Sequence, residues 1–380
     1  MNQILLPADA RRIAHDAAAA DSGGALTRRQ QALLHRRGWL RMLAPRAAGG
    51  LELALPAAVR LEEAVAAIDG SMAWVLTLCA GAGWFAGFLP PQLARAIVGT
   101  PRLCVAGSGA PTGFADVGPG VDGAAGCADA RGASFTISGR WDYASGAPLA
   151  SHFTLNAVLR QHGQVLLDGA GKPRIRAFIV PAAVVTLQPS WRSIGLRASA
   201  SHSYRIDGAV IDGGHGFCID PRYASTAGPL YRFPFMALAY VTLAANLAGM
   251  AAHFLALAGP AIGRRHHGAS GASLIEAPGV RARLDGAHAA LATARAAFYA
   301  LLDQAWAQVA AGDTLAEPDC AALRACALAL VEAARAGVDG LYPFCGLAAA
   351  AEDSELNRVW RDFHTATQHS LMLPGPALAL

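Results

Sequence analysis

The chain has 380 residues, 54% hydrophobic and 15% charged, with 31 basic residues against 27 acidic ones. Intrinsic disorder needs the opposite balance, and a formal charge of +4 with no concentrated basic stretch does not suit dedicated nucleic-acid binding. Lys172 is the only lysine and lies in the polar turn GAGKPR, which leaves Schiff-base and pyridoxal chemistry without a suitable amine. Seven cysteines, at 79, 104, 127, 218, 320, 326 and 345, are odd in number and form no CxxC. They read as buried thiols rather than a disulfide framework or a zinc site.

In chain order, residues 1–102 read as helical. ADARRIAHDAAAAD and TRRQQALLHRRGWLRML alternate apolar and basic positions at helical spacing, and LEEAVAAIDGSMAWVLTLCAGAGWFAGFL is a longer apolar pair. Residues 103–222 change to strand character. SFTISGRWDY, HFTLNAVLR, IRAFIVP and SYRIDGAVI are rich in β-branched and aromatic residues and are bounded by turn formers. A small barrel or sandwich is expected there. Residues 223–380 return to helix, in the segments 235–259, 279–311, 317–338 and 356–372, which suggests an antiparallel four-helix bundle. The stretch 235–258 is long enough to span a bilayer, but it contains Asn246, Gly249 and His253 and draws much of its hydropathy from alanine. A buried bundle helix fits better. The N-terminus has no signal-peptide core. A soluble cytoplasmic protein with no membrane partner is expected.

Neither GxGxxG after a strand nor GxxxxGK[ST] occurs, so no Rossmann or P-loop phosphate cradle is encoded. In ISGRWDYASG the alternation puts Trp141 and Tyr143 on one strand face and Asp142 on the other. Tyr143 offers a planar neighbour to a flat ring, and Ser145 a short donor to its edge. An ordinary strand with core aromatics and a glycine turn reads the same way. CVAGSGAPTGFA offers Ser108 as a donor, with Gly107, Gly109 and Gly113 allowing close backbone approach. WRSIGLRASASHSYRI supplies Trp191, Arg197, Ser199, Ser201 and His202, although polar hairpin ends look alike without function. In NRVWRDFHTATQH, positions 358, 362, 365 and 369 fall on one helical face, where Arg358 and Asp362 are spaced to pair. His364 and His369 diverge, as do the adjacent His266 and His267, so no metal site is expected.

Helices, then strands, then a four-helix bundle is an uncommon order. With the stretches DGSMAWVLTL, CVAGSGAPTGFA, ISGRWDYASG, WRSIGLRASASHSYRI and NRVWRDFHTATQH in sequence, the chain resembles the acyl-CoA dehydrogenase superfamily. It is closest to the two-component flavin-dependent monooxygenases, the group D hydroxylases. The resemblance implies an α+β fold with an N-terminal helical domain (1–102), a central β-barrel or sandwich domain (103–222) and a C-terminal four-helix bundle (223–380). It also implies reduced flavin, FAD or FMN, delivered by a separate flavin reductase, and a homotetramer. Ser108, Gly109, Tyr143 and Ser145 would hold the flavin ring, Arg264 in GRRHH a phosphate, and Trp84 and Trp191 the substrate. His369 would manage the proton while a flavin C4a-hydroperoxide hydroxylates a small aromatic or heterocyclic compound. Trp74, Phe85 and Phe88 join Trp84 as an apolar wall, or else pack the helix core.

Dehydrogenation of an acyl thioester would need a carboxylate base. No Asp or Glu lies between Phe235 and Ile275, and Tyr342 is followed by Pro343 where the family places Tyr-Glu-Gly. An acyl-CoA dehydrogenase-like oxidase or desaturase is therefore the second reading. A cofactor-free binding subunit of the same fold is the third.

Overall fold

The computed structural model describes residues 4–118, 133–268 and 270–373. Five helices open it: α1 (Pro7–Gly23), α2 (Arg28–Arg36), α3 (Leu55–Ala66), α4 (Gly70–Trp84) and α5 (Pro91–Val98). Local chemistry sets their starts. Thr27 and Gln30 form a reciprocal capping box on α2, and the Asp69 carboxylate accepts the Met72 N–H at the head of α4.

Nine strands follow: β1 (Val105–Gly107), β2 (Gly113–Val117), β3 (Ser134–Ala144), β4 (His152–Gln161), β5 (Gln164–Val165), β6 (Ile175–Pro181), β7 (Thr186–Gln188), β8 (His202–Asp212) and β9 (Gly216–Phe217). They make one sheet in the order β7-β8-β3-β2-β4-β6-β9, with β1 and β5 also paired to β4. Its own core holds Phe135, Trp141, Phe153, Phe178 and Tyr204.

The chain then runs through α6 (Pro229–Arg232), α7 (Phe235–Gly263), α8 (Pro278–Ala311), α9 (Glu317–Cys345) and α10 (Glu355–Ala366). The expected four long helices are present. α7 and α9 run further than expected, passing Pro260 and Pro343, whereas α10 stops at Ala366. Ser354 caps α10 by accepting the Asn357 N–H.

The helices of both ends share a single hydrophobic core, in which Val59, Leu76, Leu247, Phe254 and Phe363 are all buried. Side chains tie the two ends together directly. Asn246 Nδ2 donates to Thr77 Oγ1 at 3.0 Å, and Tyr231 Oη donates to the Leu43 carbonyl at 3.1 Å. Gly70–Phe88 and Phe235–Gly263 are both long and apolar enough to cross a membrane, yet the chain itself buries 83% and 78% of their apolar windows. That is the behaviour of core helices.

Cys79, Cys104 and Cys345 are buried free thiols, in line with the reading above, whereas Cys320 and Cys326 are free but only half-buried. Cys218 is disulfide-bonded, which departs from it. Cys127 lies outside the described residues.

Candidate active site

The centre of the site is a defect in the sheet. β3 pairs with β8 so that Trp141 faces Tyr204 and Ala144 faces His202, one residue more on β3 than on its partner. This bulge breaks the expected alternation. Trp141 is fully buried, stacked on Tyr204 at 5.5 Å and donating its indole N–H to the Asn156 carbonyl at 2.9 Å. Tyr143 is turned outward instead, 73% exposed, with φ at 67°, a conformation rare outside glycine. Trp141 and Tyr143 therefore do not share a face. The extra residue reverses the side chain that follows it.

After the bulge the chain turns inward. Ser145 is buried, with Oγ 2.8 Å from Ser201 Oγ, which lies 2.7 Å from Ser199 Oγ. Three hydroxyls in a chain carry three protons for two links, which leaves one O–H to offer a ligand. Gly146 sits at φ 74° and donates its N–H to the Ser199 carbonyl at 2.8 Å. A Cβ at Gly146 would lie 2.9 Å from Cys79 Sγ and 3.2 Å from Val75, so α4 packs straight onto this corner. β1 ends nearby: a Cβ at Gly146 would also lie 3.7 Å from the sulfur of Cys104, the residue just before β1. Ser108 is half-buried there, its N–H on the Thr154 carbonyl at 3.2 Å. Gly109 is exposed with open space where a side chain would point.

The segment 191–200 forms the next wall. The Tyr143 ring meets the half-buried Trp191 edge-on at 6.2 Å, and the Trp191 indole N–H closes the segment on the Leu196 carbonyl at 2.9 Å. An open cleft of about 500 Å³ beside it is lined by Asp21, Trp191, Arg192, Ser193, Ile194 and Arg197. Two expected donors are engaged elsewhere. Arg197 pairs with Glu352 at 2.8 Å, and His202 Nδ1 accepts the N–H groups of Ser190 and Trp191 at 3.2 and 3.0 Å. Burial holds the His202 pKa below the usual histidine range.

His369 approaches by a different route. α10 ends three residues earlier, so His369 is not on the helical face inferred from spacing; it caps a short 3-10 turn (Ser370–Met372). Its Nδ1 accepts the Leu371 N–H at 3.2 Å, which places the proton of the neutral ring on Nε2. Burial lowers its pKa and favours that neutral form. The ring meets the edge of Trp74 at 6.0 Å. α4 is thus the link the sequence did not reveal: Trp74 touches His369, while Val75 and Cys79 touch the Ser145–Gly146 corner.

The spacing on α10 also misled about pairing. Arg358 bonds Glu355 at 3.2 Å rather than Asp362, whose carboxylate accepts the Leu196 N–H at 2.5 Å.

Two further expectations fall apart from this group. Trp84 is a core residue, 1% exposed, boxed by Phe85, Phe88, Tyr231 and Phe235, with its indole N–H on the Leu230 carbonyl at 3.0 Å. It does not form an open wall. Arg264 is exposed at the C-terminal end of α7, and no described hydrogen bond or ring contact joins it to the site. Its neighbour Arg265 is spent on the Phe344 carbonyl at 2.8 Å.

The donor set suits a flavin. An exposed planar ring, a hydroxyl chain, open backbone at Gly109 and a neutral histidine answer the needs of a flat heterocycle with polar edges.

Comparison with known proteins agrees. Residues 241–374 match the family model "Acyl-CoA dehydrogenase, C-terminal domain". An indole-3-acetate monooxygenase of Pseudomonas putida is 27% identical over 340 residues, covering 88% of this chain and 81% of the relative. The oxygenase subunit HsaA of a Mycobacterium tuberculosis flavin-dependent monooxygenase is 22% identical over 352 residues, covering 90% and 84%. The crystal structure of the M. tuberculosis HsaA monooxygenase superposes with a TM-score of 0.84 at 20% identity, over 97% of this chain and 92% of that one. XiaF from Streptomyces, solved with FADH2 and glycerol, gives 0.81 at 20% identity over 96% and 89%. The chain therefore carries an acyl-CoA dehydrogenase C-terminal domain, within a fold that it shares with HsaA-type flavin-dependent monooxygenases.

Proposed function

We propose that this chain is the oxygenase component of a two-component flavin-dependent monooxygenase, acting on a small aromatic or heterocyclic substrate. The observation that carries the reading is the bulged corner at Tyr143–Gly146, which α4 joins to a neutral His369. When bound, reduced flavin supplies the two electrons with which one atom of O₂ enters the substrate and the other leaves as water.

The chain's own residues do the rest. Tyr143 covers one side of the ring, and the Ser145–Ser201 hydroxyls meet its polar edge. Ser108 and Gly109 give it backbone room. Arg264, free of the other contacts, is the candidate for a flavin phosphate. Trp191 borders the substrate. His369 holds a proton at Nε2 and exchanges it with the substrate's reacting group, and the surrounding apolar helices exclude water. Neighbouring folds were solved with FADH2 in XiaF and with FMN in TdsC, so the reading admits either flavin. A separate flavin reductase supplies the reduced cofactor, as the designation "oxygenase subunit" implies for HsaA. Assembly as a homotetramer completes the reading.

The dehydrogenase alternative lacks its base, since no Asp or Glu occurs between Phe235 and Ile275. The test is to mix the protein with reduced flavin, O₂ and a panel of phenols and indoles. Hydroxylated product supports the reading; absence of flavin binding in both redox states ends it. In a His369→Ala protein, flavin binding should persist while oxygen goes to hydrogen peroxide instead of product, and full coupled turnover would remove the histidine from the mechanism.

A further inference from the structure

Behind the segment 191–200 lies a buried cluster of charge that the proposed chemistry does not use. Three carboxyls meet there, from Asp21 on α1, Asp69 at the head of α4 and Asp362 on α10. Two guanidiniums face them, Arg358 and Arg361, both more than nine-tenths buried. Arg361 is committed to Asp21 at 2.7 Å and to the Ile194 carbonyl at 2.5 Å. Arg358 is committed to Glu355, which also lies 3.4 Å from His253 on α7. Among the described residues, Asp69 and Asp362 are left without an ion pair of their own.

Their hydrogen bonds are unequal. Asp69 accepts from Gln30 at 2.6 Å and from the Met72 N–H at 3.1 Å, whereas among the described residues Asp362 accepts only the Leu196 N–H. Two buried carboxyls beside one already paired cation do not both ionise readily, and the proton stays on the less well solvated one. Burial first, then the charges of Asp69 and Asp21, raise Asp362 to about 7 against the opposing Leu196 N–H and Arg358.

The single bond from Asp362 reaches the site wall. Leu196 and Ala200 sit at φ 49° and 45°, strained positions that persist only where the surroundings hold them. A Cβ on Gly195 would overlap the Arg361 carbonyl oxygen, so the segment lies flat on α10. Its other side carries Trp191 against Tyr143 and Ser199 against Gly146.

We infer that Asp362 is a positioning residue that makes the docking of segment 191–200, and hence flavin affinity, depend on pH. The affinity part rests on the flavin reading; the docking part does not. Below neutrality Leu196 N–H meets a neutral acid. Above it the N–H meets a carboxylate, a bond about twice as strong, but the docked segment then holds an ionised group out of water, which costs more than that bond returns. Because burial, the larger effect, raises the Asp362 pKa in the docked state, docking holds a proton and loosens as pH rises through neutrality.

The experiment has two arms, each run from about pH 6 to about pH 8 on wild type and Asp362→Asn. In the first, hydrogen exchange of the flavin-free protein, corrected for intrinsic rates, is read at residues 191–200. Protection should fall about fivefold in wild type from the lower to the higher pH and stay flat in the variant. In the second, FAD affinity by fluorescence quenching should follow the same curves. A flat wild-type exchange profile, or a variant that keeps the wild-type slope, overturns the inference. Should Asp362→Asn not fold, the wild-type exchange slope alone decides. A protein that shows the exchange slope but binds no flavin supports the docking and refutes the flavin reading instead.

Discussion

Glu62 on α3 is fully buried and neither carboxyl oxygen has a hydrogen-bond partner. Burial alone pushes its pKa from 4.5 up to about 8. The native state therefore binds more protons than the unfolded chain between those two values, and stability falls as pH rises through that window. At 1.36 kcal/mol per pH unit the full cost of ionisation is about 5 kcal/mol, of which about 3 kcal/mol is expressed at pH 7. Glu62→Gln keeps the shape and cannot ionise. It should match wild type near pH 4, exceed it by about 3 kcal/mol at pH 7 and by about 5 kcal/mol above pH 8. Urea unfolding midpoints across this range measure the difference. A constant gap between the two proteins at every pH, or a variant less stable at pH 8, would refute the burial argument.

Two other substitutions separate the site from the scaffold. Gly195→Ala forces a methyl into the Arg361 carbonyl, an overpacking of about 1–3 kcal/mol that the segment relieves by lifting off α10. Flavin affinity should fall at least severalfold while far-UV circular dichroism is unchanged, and an unaltered affinity would detach this wall from the cofactor. Trp84→Phe leaves the Leu230 carbonyl without its donor and should cost about 1–3 kcal/mol in stability with KM for substrate unchanged. A shifted substrate preference would return Trp84 to the pocket.

The order of helices, strands and bundle was legible because periodicity of 3.6 or 2 survives over long segments. The caps at Thr27 and Ser354 depend only on a few adjacent side chains, so they belong to local sequence rather than to tertiary context. Tyr143 and Ser145 could be singled out from the sequence, but the outward orientation of Tyr143 could not be read from it. A bulge belongs to the pairing of β3 with β8, and neither strand alone announces it. His369 was singled out on a spacing that α10 does not sustain to that point. The Arg358–Asp362 pair failed because tertiary partners, Leu196 above all, outcompeted the neighbour on the helix. Asp69 carried a faint signal in the sequence IDGSM, an acidic residue just before an apolar helix, which reads as a cap and hides its second role. Trp84 shows the limit of composition: an aromatic in an apolar run looks the same whether it faces a ligand or a core.

The shared core of the two helical ends has a consequence during synthesis. Thr77 meets Asn246 only after 169 further residues have been added. At about 5–20 residues per second that wait lasts about 10–30 s. The β sheet, with an interior of its own, is able to settle first, while α4 emerges with its apolar surface bare. Nascent chains stalled before α7 should therefore be clients of holding chaperones, and C-terminal truncations should be lost to proteolysis or inclusion bodies rather than survive as a smaller folded unit.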